Sequence, residues 1–482
     1  MAASVKTNYV FNLLNSVTQV LLPVVTFPYA SRILLPEGIG HVNSFASIIN
    51  VIVLLTSLGI PLYAVREVAK VRDDSSKRNK LVFELLSLNF ITTFIGYVAV
   101  LILCFLIPQI NKDIPLFLLL SLSILFTTIG CEWFYQAVED FKYIALRGII
   151  VRLLSIVFLF LFVKTREDIV WYAAFTVFGV MGSNVFNFFR LRKYLSVRDL
   201  QLSKLNPLRH IPGVTKTFAF NIITSIYVQL NTVFLGFFSS DTSAGYYTAS
   251  MKLNLTAITV SYSLSTVMLP HLSNLIGTEN KAKFKEMAQK SYDFSFALAL
   301  PMAVGLIFVS PEAMVLLSGK DFIPSILVSQ IMSFTIFFIA LSNVLGIQLL
   351  FPLGYMNTVV KSVSIGCLID LLLCLILIPK FAHNGASLAY LLAELGVMVS
   401  LFILGTKHLP IHYFKKYHLL YVFAALMMAV VLFFERFIDV NYIVKLFILV
   451  FSGVAVYVSI LLLIKNPLSV RLKEIVSDKF KR

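Results

Sequence analysis

From Lys6 to Lys465 the sequence is a succession of apolar segments, each about 20 to 25 residues long, separated by short polar breaks. A helix rises ~1.5 Å per residue, so each segment can cross the ~30 Å hydrocarbon core of a bilayer. The segments fall at 8–31, 38–64, 81–107, 114–138, 142–163, 168–189, 217–239, 243–269, 292–317, 323–351, 356–379, 385–406, 418–434 and 442–463. No water reaches the hydrocarbon core, so each backbone amide there must bond within its own segment, and that selects helices. The chain is expected to be an all-α polytopic membrane protein of fourteen transmembrane helices. Composition agrees: 59% of residues are hydrophobic and 13% charged, against roughly 25% charged in soluble domains.

The formal net charge of +16 would suggest nucleic acid in a soluble chain, but its distribution points elsewhere. With the N-terminus in the cytoplasm, the inward connections hold Arg66, Lys70, Arg72, Lys77, Arg78 and Lys80, then Arg190 to Lys216, then Lys281 to Lys290. The outward loops carry only scattered bases such as Arg32, Lys112 and Lys320. This is the positive-inside pattern, with both termini cytoplasmic. No nucleic-acid partner is expected. Residues 1–30 lack the small-residue cleavage site of a signal peptide. Cys104, Cys131, Cys367 and Cys374 form no metal or redox motif and read as structural thiols. The outward loops are short and hold no catalytic constellation, which argues against an enzyme.

The longest basic connection divides the first twelve segments into six and six. Phe11, Asn12 and Ser16 open segment one at the same spacing as Phe220, Asn221 and Ser225 open segment seven. Gly40 and Gly245 follow in matching turns. Six is even, so the repeat is parallel, about an axis along the membrane normal. The expected organisation is an N-terminal six-helix lobe (1–194), a basic cytoplasmic linker (195–216), a C-terminal six-helix lobe (217–410) and two additional helices with a tail (411–482).

Polar residues cluster on four helices. Asn8, Asn12, Asn15, Gln19 and Thr26 lie within roughly 80° of one another on segment one at ~100° per residue. Asn43, Ser47, Asn50 and Ser57 repeat this on segment two, Asn221, Ser225 and Thr232 on segment seven, and Lys252, Thr256, Thr259 and Ser263 on segment eight. Such stripes serve as interhelical hydrogen bonds or line a shared wet cavity. Arg152 and Lys252 lie about ten residues into their segments, where a cation facing lipid costs ~2.5–3.5 kcal/mol. Arg147 and Lys361 are shallower, and Arg32 closes segment one. Together these cations suit an anion, phosphate above all; the alternative is pairing with Asp370, Glu394 or Glu132. Asp370 and Glu394, deep in segments eleven and twelve, read as a proton or cation site or as partners of Lys361 or Arg152.

Asn12, Pro23 and Pro28-Tyr29-Ala30-Ser31-Arg32, followed by Pro36-Glu37-Gly38-Ile39-Gly40, resemble the opening of the Wzx-type polysaccharide flippases. Glu132-Trp133-Phe134-Tyr135-Gln136-Ala137, Gly245-Tyr246-Tyr247 through Lys252, and Pro270-His271-Leu272-Ser273 fit the same family. The resemblance covers the whole chain. It implies the multidrug/oligosaccharidyl-lipid/polysaccharide exporter fold, with a central cavity lined by helices one, two, seven and eight. It implies an undecaprenyl-pyrophosphate-linked oligosaccharide of O-antigen or capsule as substrate and membrane lipid as surroundings. The setting would be the bacterial inner membrane, with a polymerase and glycosyltransferases as partners. No cofactor or resident metal is implied beyond proton or sodium coupling, for which Asp370 and Glu394 occupy matching helices. The acid that some relatives carry in helix seven is missing here. A cation-exporting multidrug antiporter and a lipid II-type flippase are the alternatives. The charge asymmetry makes a direct prediction: a single cysteine placed at Ser203 is labelled by an impermeant thiol reagent only after cells are permeabilised.

Overall fold

The computed structural model describes residues 5–195, 205–277 and 280–463, excluding the side chains of 5–10, 12–17, 19–21, 180, 216–217, 219–228, 260–267, 270 and 277. In chain order the helices are α1 (Val5–Ser57), α2 (Ile60–Lys70), α3 (Ser75–Leu106), α4 (Pro108–Asn111), α5 (Ile114–Gly130), α6 (Glu132–Ala137), α7 (Phe141–Phe162), α8 (Ile169–Met181) and α9 (Ser183–Leu191). They continue as α10 (Ile211–Phe238), α11 (Asp241–Gly277), α12 (Lys281–Ser318), α13 (Ser325–Asn343), α14 (Met356–Gly405), α15 (Lys416–Glu435) and α16 (Tyr442–Leu463). Among the described residues, nine helical stretches are long and apolar enough to cross a membrane, or ten with the bent pair α8 and α9. Two of these, Leu22–Lys70 and Met356–Gly405, are twice the length of one crossing and break at Leu35 and Ala382, both with positive φ. Each therefore crosses twice, and α10 and α11 complete the fourteen. The protein is a multi-pass, all-helical membrane protein.

The chain forms two compact units, Met1–Gly245 and Tyr246–Arg482. This packing boundary falls later than the linker at 195–216. In the first unit, α1 doubles back at Leu35. Its first half bonds α7, with Tyr29 Oη donating to Val163 O at 2.8 Å. Its second half bonds α3, with Thr92 Oγ1 donating to Thr56 O at 2.6 Å. The helix α10 joins this unit because glycines let it approach. A Cβ on Gly236 would stand 3.0 Å from Ser44, and one on Gly213 would strike the Tyr63 ring. The tightest crossing lies at the start of α11. A Cβ on Gly40 would meet Asp241 O at 1.6 Å, and one on Gly245 would meet Pro36 O at 1.9 Å.

A buried acid fixes the end of the linker. Glu84 has no exposed surface, and its Oε1 accepts the Asn206 N–H at 3.0 Å. Its Oε2 takes Arg209 at 2.5 Å and His210 Nε2 at 3.0 Å, while His210 Nδ1 faces the Tyr63 hydroxyl at 3.0 Å. The motif at 132–137 forms the neighbouring core: Trp133, Phe134 and Tyr135 are buried, and Tyr135 donates to Asn187 O at 2.7 Å.

In the second unit α14 is a hairpin. Gly366 packs on Val397, Gly396 on Ile369, and Gly385 on Leu377 across the break at Ala382. Here too an acid on a long helix takes a histidine. Asp293 of α12 accepts His418 Nε2 at 3.0 Å, Gln289 Nε2 at 2.7 Å and the Tyr417 hydroxyl. His418 Nδ1 in turn accepts the Lys415 N–H at 3.1 Å. The helices α15 and α16, expected to be a plain addition to the repeat, pack on α12 and share its core through Tyr421, Met428, Leu449 and Tyr457. At the close crossing, Gly40→Ala is expected to force α1 and α11 apart at a cost of ~1–3 kcal/mol, measured as a lower melting temperature of the purified protein; Gly354→Ala, which meets no atom within 4 Å, tests only its positive φ and serves as comparison.

Candidate functional site

The two deep cations read from the sequence sit in different surroundings from the shallower ones. Arg152 lies midway along α7, half-buried, and its Nη1 donates to Thr18 Oγ1 of α1 at 2.7 Å. Thr18 adjoins the polar stripe of that helix. The side chains of Asn8, Asn12, Asn15, Gln19 and Asn221 lie outside the described residues. Lys252, on α11 in the second unit, is half-buried, and the Thr256 hydroxyl one turn on returns to its carbonyl at 2.8 Å.

Arg147 is committed to packing. It is 7% exposed; its Nη2 meets Glu132 Oε2 at 3.0 Å and its Nη1 donates to Asn187 Oδ1. Of the two roles open in the sequence, the Glu132 pair is the one found. Arg190 is bound similarly, to Asp140 at 2.7 Å and over the Tyr143 ring at 3.8 Å. Arg32 is exposed and donates to Pro28 O at 2.5 Å, while Lys361 is exposed near the start of α14. Asn43 donates to Ile39 O at 2.7 Å and bonds the Tyr172 hydroxyl, so it joins helices; Asn50 is half-buried.

The hairpin register of α14 sets Asp370 level with Glu394. The pairs 366 with 397 and 369 with 396 lie on one side of them and the pair 377 with 385 on the other. Asp370 has no exposed surface and Glu394 3%. The buried ring of Tyr247, from α11, is within electrostatic reach of both carboxyls, and its hydroxyl has no hydrogen-bond partner. Lys361 lies nine residues from Asp370, ~13.5 Å along the helix, which removes the pairing left open in the sequence. Among the described residues no group of three or more His, Cys, Asp or Glu has metal-holding geometry.

Sequence reasoning missed Tyr247, although it stands in the Gly245-Tyr246-Tyr247 motif. It also missed His41. That ring contacts Asp241 at 2.8 Å and Asp113 at 3.2 Å, partners 200 and 72 residues away that no local spacing reveals.

Comparison with known proteins decides the family. The model of the family described as "Polysaccharide biosynthesis protein" matches residues 5–276, more than half of the chain. The chain belongs to the polysaccharide biosynthesis protein family. A Shigella dysenteriae protein named O-antigen transporter is 24% identical over 387 residues, covering 80% of this chain and 95% of its own. The capsular polysaccharide biosynthesis protein CapF of Staphylococcus aureus is 25% identical over 404 residues, 82% of this chain and 96% of its own. The lipid II flippase MurJ in its inward closed conformation superposes with a TM-score of 0.74 at 17% identity, over 95% of this chain and 98% of that one. At that identity the likeness is one of fold.

Within this family fold the two arginines of α7 separate experimentally. Arg147→Ala leaves Glu132 and Asn187 without their donor and is expected to cost on the order of 2 kcal/mol, below a fully buried pair because Glu132 is partly exposed; the readout is less protein in the membrane. Arg152→Ala and Lys252→Ala are expected to keep normal protein levels while surface polysaccharide is lost.

Proposed function

We propose that this protein is a flippase for lipid-linked oligosaccharides, moving undecaprenyl-pyrophosphate-linked repeat units from the cytoplasmic to the outer leaflet of a bacterial inner membrane by alternating access. The protein is a transporter and not an enzyme. The sugar-pyrophosphate head cannot enter apolar core without polar partners, whereas the polyprenyl tail is at home there. Arg152 and Lys252 are the side chains proposed to meet the pyrophosphate.

The observation that carries this reading is a cavity of about 810 Å³ in the second unit, between α12, α15 and α16. Met287, Met302, Met428, Pro301 and Val450 line it, with Lys290 and Tyr417 among its few polar groups. Such walls suit a hydrocarbon chain, and methionine adapts to irregular shapes. A cation-binding drug exporter would need carboxylates there, and Asp293 is already held by His418, Gln289 and Tyr417.

Asp370 and Glu394 are proposed as the coupling site. Two carboxyls sharing one dry place need a proton or cation between them, and the Tyr247 hydroxyl is positioned to join them.

Reconstituted vesicles containing undecaprenyl-pyrophosphate oligosaccharide test both parts. Gly305→Leu grows into the cavity, where a Cβ already stands 3.8 Å from Met428. It is expected to slow flipping about tenfold, ~1.4 kcal/mol, with unchanged protein level. Asp370→Asn is expected to abolish the response to a proton or sodium gradient while substrate still binds. Vesicles that move cationic drugs and leave the lipid-linked sugar in place would overturn the reading.

A further inference from the structure

Among the described residues, His41, His210 and His418 each have both ring nitrogens engaged, and they differ in what they face. His418 has an N–H donor at Nδ1 and a carboxylate at Nε2; His210 has a hydroxyl at Nδ1 and both the Glu84 carboxylate and the Arg209 Nε–H donor at Nε2. Each pattern suits a neutral ring, which offers one N–H and one lone pair. His41 differs. Its Nδ1 lies 2.8 Å from Asp241 Oδ2 and its Nε2 lies 3.2 Å from Asp113 Oδ2. An ionised carboxylate only accepts, so a neutral ring would set its lone pair against one of them. Both contacts are satisfied when the three groups hold one additional proton, which belongs on the imidazole, the strongest base of the three.

We propose that His41, Asp113 and Asp241 form a proton-binding site whose occupancy pins the first turn of α11 to the start of the second half of α1 and to the cap of α5. The three side chains are 22%, 34% and 35% exposed, so solvent protons reach them. His41 stands at the start of segment two, and Asp113 and Asp241 come from the connections after segments three and seven, at the end of the unit opposite the basic connections. The adjoining Gly40–Gly245 crossing leaves no slack, since Asp241 O occupies the place of a Gly40 Cβ. Asp241 also begins α11, which continues from Gly245 into the second unit. When the proton leaves, a lone pair faces a carboxylate and the contact turns repulsive. The other charges at this end are Glu37, one turn earlier on α1, Arg32 before the kink, Lys112 beside Asp113, and the 163–168 connection. In that connection Lys164, Arg166 and Glu167 accompany Asp168, which is held by the backbone N–H groups of Lys164 and Thr165. The proposal does not rest on what the protein carries.

The test reads the ring and the helix separately, with no transport assay. In full-length protein labelled with ¹⁵N-histidine, the His41 signals are identified by their loss in His41→Leu. Both nitrogens are expected to carry protons at about pH 6 and one to lose its proton by about pH 8.5. Hydrogen exchange over 241–247, corrected for intrinsic rate, is expected to show about tenfold more protection at the lower pH. Asp113→Asn supplies a side chain that both donates and accepts, and is expected to make that protection independent of pH. If the His41 ring is neutral at the lower pH, or if native protection is the same at both values, the proposal is wrong. The native measurements decide this even where a variant fails to fold.

Discussion

A polar group in hydrocarbon has no water to turn to, and every feature described above answers that constraint. It makes the chain helical, and it favours deep side chains that find partners on other helices. Glu84 shows how far this goes. A carboxylate without exposed surface is tolerable because a backbone N–H, an arginine and a histidine all donate to it. Through those bonds the segment entering α10 is tied to α3, and α10 then lies against α2 where Gly213 permits and against α1 where Gly236 permits. The first compact unit extends beyond the linker for this reason.

The same device recurs in the second unit. Asp293 on α12 takes His418 at the start of α15, as Glu84 on α3 takes His210 before α10. In the repeat, α12 follows the eighth crossing as α3 follows the second, and each histidine follows a sixth crossing. The internal repeat seen as Asn12 and Asn221 thus extends to its fastenings. These two histidines have complementary donors and acceptors on their two sides. His41 has acceptors on both, and so differs in chemistry as well as in place.

Two neighbouring arginines show how partners diverge along one helix. Arg147 and Arg152 are five residues apart on α7, and one turns to Glu132 and Asn187 while the other reaches a threonine hydroxyl on α1. The last two helices, α15 and α16, line an apolar cavity together with α12.

The sequence by itself determined the number of crossings, the all-helical class and the parallel repeat, because segment length, hydropathy and spacing are local quantities that the bilayer reads directly. It also marked the helices that carry polar stripes and the depth of Arg152, Lys252, Asp370 and Glu394. Only the tertiary structure decided partners. That Arg147 binds Glu132, that Asp370 stands level with Glu394 near Tyr247, and that His41 lies between Asp113 and Asp241 each depend on helix crossings set by glycine contacts. Those contacts join residues as distant in sequence as Pro36 and Gly245, and no periodicity along one helix encodes which face of another it will meet.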